Sequence, residues 1–371
     1  DTPCIDDHQL KPEDFETKGK VSETAANIVL RILYLARIGR PDLLWTVNIL
    51  ARAVTKWTQA CDKRLERLIG YLYKTRAHRQ FCFVGNTPDE CSLGLFQDAS
   101  FAGDLQDSKS TSGGLLCLFG SRTFVPITWM CKKQTAVSHS SAEAEVISLD
   151  AGLRMEGLPA LMLWDQVIKA LSDKPAKITE KNVGKNIDAV NKFIQNIDYT
   201  PPSLPITESL AKIFVFEDNE AVIKMVIKGR SPNLRHVPRT QRVDLDWLFE
   251  RISQDPAVKL KYVSTKEQLA DILTKGLFSV AQWSTLLDLI QIGPEKSGSI
   301  KQTPGVATVN VNKNQSVYMA NCIHDVFNIC PHEGAITPCR ICNHFCFSHC
   351  LRCAGISGFP ASAFVLSLIH I

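Results

Sequence analysis

Apolar residues recur every three to four positions between residues 22 and 39, with Ile28, Ile32 and Leu35 on one face, which predicts an amphipathic helix that breaks at Gly39. A second helix is expected from Pro41, since proline suits a first helical turn, and it carries Leu44, Val47, Asn48 and Ala51. A third spans about 61–73, with Leu65, Leu68, Ile69 and Leu72 at helical spacing. The polar stretch 76–91, which includes Gly85-Asn86-Thr87-Pro88, marks a boundary. Three apolar runs follow at 92–98, 113–119 and 122–130, separated by short turns, the spacing of an antiparallel meander. Pro126 assigns the third run to a sheet edge.

The next helix has a readable start. Ser140-Ser141-Ala142-Glu143 matches a capping box, in which Glu143 reaches back to the backbone N–H of Ser140, and that leaves Glu145 on another face. The helix runs through Leu149 and Leu153 and is expected to kink or end near Pro159. Residues 171–207 are rich in lysine and asparagine, lack apolar periodicity and end in TPPSLP, so they are taken as an insertion. An apolar run at 213–216 then leads into Glu217-Asp218-Asn219 and the helical pattern of Ala221, Ile223, Val226 and Ile227. A last strand is expected at 258–263, followed by a second capping box, Thr265-Lys266-Glu267-Gln268, whose helix carries Asp271 in its second turn.

Composition narrows the class without deciding the function. A chain of 371 residues with 45% apolar and 22% charged residues is globular, and a net charge of +4 is too small to imply nucleic-acid binding except through a local basic face. Lys228, Arg230, Arg235, Arg239 and Arg242 form such a run without an acid among them: a solvated face, or a contact for phosphates. The opening residues, 1–20, read as a polar lead-in, with Asp6 and Asp7 solvated. No signal peptide or transmembrane helix is read, and the expected setting is intracellular, cytoplasmic or nuclear, and not secreted.

Asp98 ends an apolar strand and Glu145 sits near the start of a helix. Buried carboxylates are costly unless they are hydrogen-bonded, paired or metal-bound, so the two form a polar contact or half of a metal site. Asp218 and Asp271 extend the set, in the order β-β-β-α-β-α-β-α.

At this point FQDASFAGDLQDSKSTSGG (96–114), ITWMCKKQTAVSHSSAEAEVISL (127–149), FEDNEAVI (216–223) and YVSTKEQLADILTKGL (262–277) together resemble the ribonuclease H domain of copia-type retrotransposon polyproteins. The stretch RILYLARIGRPDLLWTVNILAR (31–52) resembles the tail that follows the reverse transcriptase palm in the same polyproteins. The resemblance implies an α/β fold with a mixed five-stranded sheet flanked by helices. It implies cleavage of the RNA strand of an RNA–DNA hybrid with two Mg2+ ions, Mn2+ being the alternative. Asp98 would bridge both ions, Asp271 would help hold the ion that activates water, and Glu145 with Asp218 would hold the ion at the leaving oxygen. The implied partners are the hybrid and other parts of a retroelement polyprotein, with no membrane. The implied layout is a lead-in at 1–20, a helical remnant of the reverse transcriptase at 21–78, the ribonuclease H-like domain at 91–278, and a linker with a Cys/His-rich tail at 279–371.

The chain departs from the family at Ser100, where a second aspartate is frequent, at Phe101, where tryptophan is frequent, and at Arg242, where histidine is common. The palm with its paired aspartates has no counterpart, so no polymerase site is expected. Outside the resemblance, seven cysteines crowd into 322–353, and Cys339, Cys342, Cys350 and Cys353 have two-residue gaps that suit tetrahedral Zn2+; reduced thiols or a non-native tail are the other readings. The competing functional reading is a catalytically silent retroelement relic or nucleic-acid-binding module with the same fold. A third makes the zinc-bearing tail the functional part.

Overall fold

The computed structural model describes residues 2–5, 9–103, 107–171, 209–229 and 234–294, with a two-residue strand at 318–319. Asp6 and Asp7, Arg230, the expected insertion from residue 172 onward and all four tail cysteines considered for zinc lie outside the described residues. The chain divides into two compact units, one holding the residues up to Phe83 and those from Lys275, the other centred on Val84–Thr274.

The first unit begins with α1 (Pro12–Glu16), α2 (Ala25–Ile38), α3 (Leu44–Arg52) and α4 (Gln59–Lys74). Helix α2 buries Ala25, Val29, Ile32, Leu35 and Ala36, a stripe at three- and four-residue spacing. Arg40, in the turn after it, is 2% exposed and makes two parallel bonds to Asp42, Nε to Oδ1 at 2.9 Å and Nη2 to Oδ2 at 2.8 Å. Tyr71 of α4 donates to the same Asp42 at 2.9 Å, so a buried ion pair ties the helices together. The polar stretch 76–91, read as a turn-rich boundary, contains strand β1 (Arg79–Cys82). Four residues with only two buried side chains are too short for periodicity to mark them.

The second unit holds the mixed five-stranded sheet flanked by helices that the sequence leads one to expect. Its strands are β2 (Ser92–Ser100), β3 (Thr111–Gly120), β4 (Thr123–Lys133), β5 (Ile213–Glu217) and β6 (Val258–Tyr262), in the order β4-β3-β2-β5-β6. Strands β2, β3 and β4 run antiparallel as a meander, while β5 and β6 add in parallel. Pro126 does lie in an edge strand, and the register steps from Leu116↔Thr128 to Cys117↔Pro126, leaving Ile127 as the extra residue of a bulge.

Alternation along β2 sends Leu93 and Leu95 into a core with Ile213, Val215 and Val146, while Phe96 stacks on Phe216 on the other face at 4.4 Å between centroids. Helix α5 (Ser141–Gly152) continues through one wide π turn, Leu153–Gly157, into α6 (Leu158–Leu171). Pro159 neither ends nor breaks the helix: Leu158 N–H bonds to Leu153 O, and this widened turn accommodates the proline that lacks a donor. In the middle of α6, Asp165 Oδ1 accepts Leu210 N–H at 2.8 Å and the Ser209 hydroxyl at 3.2 Å, gripping the residues that lead into β5.

Helix α7 (Glu220–Lys228), the turn α8 (Val237–Thr240) and α9 (Leu245–Gln254) precede β6. The expected capping box at Thr265 does not form: 265–267 are a single 3-10 turn, and Asp271 opens a separate helix, α10 (Asp271–Thr274). Gln268, expected to lie inside the helix, instead accepts Ala270 N–H through its side chain at 3.4 Å and donates to Gln97 O at 2.8 Å. Residues 280–293, read from the sequence as the start of a linker, form α11 (Val280–Leu289) and β7 (Ile292–Gly293). These belong to the first unit, where β7 and β8 (Tyr318–Met319) flank β1. No helix among the described residues is long and apolar enough to cross a membrane.

Candidate metal centre

The site is built at the ends of two neighbouring parallel strands. Phe96 of β2 pairs with Phe216 of β5, so two residues further along each segment Asp98 and Asp218 emerge side by side. The third acid comes from α5, where Ser148, three residues after Glu145 and therefore on an adjoining face, donates its hydroxyl to Asp98 O at 2.8 Å. That bond sets the helix against the strand one turn beyond Glu145. As a result one carboxylate oxygen from each of Asp98, Glu145 and Asp218 lies within 4.8 Å of the others. Asp98 and Glu145 are buried and Asp218 is half-buried.

Glycines allow the close packing. Gly113 faces Asp98 across β2 and β3, and a Cβ there would lie 2.4 Å from Thr274 Cγ2; α10 therefore packs directly on the strand pair. On the opposite face, Gln97 fills the gap between Gly114 and Gly152, at each of which a Cβ would come within 2.3 Å of its amide nitrogen. Asp271 opens α10, and although its carboxylate is not one of the three within 4.8 Å, its helix reaches the site through Thr274, whose hydroxyl donates to Asp98 Oδ2.

Asp218 is presented by a strand end and a helix start. Asn219 caps α7, its Oδ1 accepting Ala221 N–H at 2.9 Å, and its own N–H donates to Glu217 Oε1 at 3.1 Å. Glu217 is fully buried, and burial, reinforced by the charges of Asp218 and Asp98, pushes its carboxyl up to about 8. So dense a set of carboxylates repels itself in the absence of a cation. Three convergent, hard oxygen donors are the ligands that magnesium or manganese takes, so the residues fit a divalent ion.

Glu143 differs in detail from expectation. Ser140 Oγ accepts Glu143 N–H at 3.1 Å, which is the N-cap, but the Glu143 carboxylate takes the N–H of His139, at 2.9 Å, rather than that of Ser140. The same oxygen lies 3.1 Å from His236 Nε2. Gln241 adds a second tie, donating to Ala136 O at 3.1 Å, so the segment bearing Arg235, Arg239 and Arg242 is fastened to the loop that precedes α5. All three arginines are exposed, and Arg242 has a left-handed backbone, φ 57°.

Of the four acids named from the sequence, three converge and the fourth is tethered to them. Ser148, Thr274 and Glu217 were not foreseen. The first two were open to detection, because each lies three residues after an acid on a helix; Glu217 could have been marked as an acid inside an apolar run. His236 had no local signal.

Retrovirus-related Pol polyproteins from transposons are similar to this chain over most of its length. That of transposon RE2 of Arabidopsis thaliana is 31% identical over 277 residues, 74% of the chain and 16% of the relative. That of RE1 from the same plant is 30% identical over 256 residues, 68% of the chain and 14% of the relative. That of TNT 1-94 of Nicotiana tabacum is 24% identical over 270 residues, 72% of the chain and 16% of the relative. The chain thus spans about one sixth of the length of these relatives. No family model matches the chain, and no solved structure matches it significantly.

Proposed function

We propose that this chain, a homologue of copia-type retrotransposon Pol polyproteins, is a retroelement-derived ribonuclease H-type enzyme that hydrolyses the RNA strand of an RNA–DNA hybrid. The observation that carries the reading is the convergence of Asp98, Glu145 and Asp218 within 4.8 Å, from two parallel strand ends and one helix. These acids, with Asp271, would hold two divalent ions. When bound, such ions would supply Lewis-acid stabilisation of the entering and leaving oxygens of an in-line displacement at phosphorus.

The remaining work falls to the chain itself. Ser148 keeps Glu145 against Asp98, and Asn219 fixes the turn that presents Asp218. Arg235, Arg239 and Arg242 contact backbone phosphates beside the start of α5, where the His236 and Gln241 ties hold their segment. Selection of the hybrid rests on groove shape and 2′-hydroxyls rather than base sequence.

The test is cleavage of a labelled RNA–DNA hybrid with magnesium by the native chain and by Asp98→Asn. Metal-dependent cutting that falls to background in the variant is expected. A folded native chain that binds the hybrid in a gel-shift assay and never cuts it would leave a silent nucleic-acid-binding module in place of an enzyme.

A further inference from the structure

Thr274 closes α10, three residues after Asp271, and is 1% exposed. Its hydroxyl has one proton and three acceptors within reach. The carbonyls of Asp271 and Ala270 lie at the long distances of 3.3 and 3.4 Å, whereas Asp98 Oδ2, within hydrogen-bond reach, is a carboxylate oxygen and the strongest acceptor of the three, so the proton goes to Asp98. The methyl group of the same side chain occupies the notch left by Gly113 directly opposite Asp98. Thr274 is thus held by shape from one strand and by a hydrogen bond from the next.

A single helical turn does not stand alone, because the cost of nucleation exceeds what one turn returns. Helix α10 depends on ties to the sheet: the Thr274 bond to Asp98 and the Gln268 bond to Gln97 O. Both are made to neighbouring residues of the strand that carries the central acid. The helix bearing Asp271 is therefore docked on the carboxylate with which Asp271 has to cooperate.

Resting on the reading of the site as a divalent-ion centre, we propose that Thr274 is a positioning residue. Its hydroxyl orients the Asp98 carboxylate for the ion and locks the Asp271 helix to it, without touching the ion. Hydrogen-bond partners of metal ligands typically govern metal affinity by about 10–100-fold.

The full chain with Thr274→Val keeps the side-chain shape and loses the donor, Thr274→Ser keeps the donor and loses the methyl group, and Thr274→Cys offers a weaker donor should the valine variant not fold. Binding of Mg2+ is followed by calorimetry and of Mn2+ by electron paramagnetic resonance, with circular dichroism to establish the fold. The valine variant is expected to bind about 10–100-fold more weakly, the serine variant close to native, and the cysteine variant in between. Equal affinity in native and valine proteins overturns the proposal, as does a serine variant as weak as valine. A native chain that binds neither ion overturns both this proposal and the metal-centre reading. One that binds ions without cutting the hybrid overturns only the ribonuclease reading, and the Thr274 comparison still decides the positioning role.

Discussion

The Glu143 carboxylate accepts the backbone N–H of His139 at 2.9 Å through the oxygen that also lies 3.1 Å from His236 Nε2, 93 residues away in sequence. Glu143 is 1% exposed, and its other oxygen has no hydrogen-bond partner, so it depends on these two contacts. Removing the imidazole strips a buried carboxylate of its side-chain partner. His236→Ala should lower unfolding stability by about 1–3 kcal/mol, while His236→Gln, which can present an amide donor, should recover part of it. Urea denaturation with an unchanged slope measures the difference; a native-like midpoint for the alanine variant would contradict the assignment.

A second prediction concerns the helical unit. Burial of Arg40 works against its charge, but Asp42 more than offsets this and holds the guanidinium above its ordinary range. Removing either partner leaves the other charge buried and uncompensated, at about 3–5 kcal/mol. Asp42→Asn and Arg40→Met should each lower the thermal midpoint sharply, and the double variant should lose less than the sum of the two. Additive losses in that double-mutant cycle would show that the pair is not coupled.

The third prediction is a pH dependence. Glu217 ionises near 4.5 in an unfolded chain, but its buried position beside Asp218 and Asp98 pushes it up to about 8 in the folded one. Between those values the folded state binds more protons. In chelator, Glu217 therefore contributes stability that is fully present below pH 4.5 and falls as pH rises towards 8, by on the order of a few kcal/mol. Glu217→Gln should flatten the slope across this window in denaturation curves recorded from pH 5 to 8. A slope that survives the substitution assigns it to other groups.

Much of the sheet was legible because its residues obey local rules. The apolar runs of β2, β3 and β5 alternate or fill as buried strands must, Pro126 marked the edge, and the three-to-four spacing of α2 and α4 marked helices. Asp98 and Glu145 could be named because acids set in apolar elements conflict with their surroundings, and Asp218 because it directly follows an apolar run. The rest depends on neighbours that only folding supplies. Glu143 turned to His139 and His236, where Ser140 had been expected, because a partner from a distant segment completes the cap. The helix ran past Pro159 because a π turn is set by packing rather than by propensity. Gln268 turned from an expected helical position to a tie on Gln97 O, and that tie is visible only when the two segments meet.

Asp165 has a consequence for how the gene can vary. Its grip on Ser209 and Leu210 lies about six helical residues from Leu171, on the order of 10 Å at 1.5 Å per residue. Helix α6 and the residues that lead into β5 are thus held near each other by a carboxylate. Between two points fixed in this way, doubling the length of a flexible connection adds only about 0.6 kcal/mol of closure cost. Added length between residues 171 and 209 is therefore expected to leave the register of β5 on β2 unchanged, and with it the spacing of Asp218 from Asp98. Length polymorphism can accumulate at this position while the acids on either side stay in place.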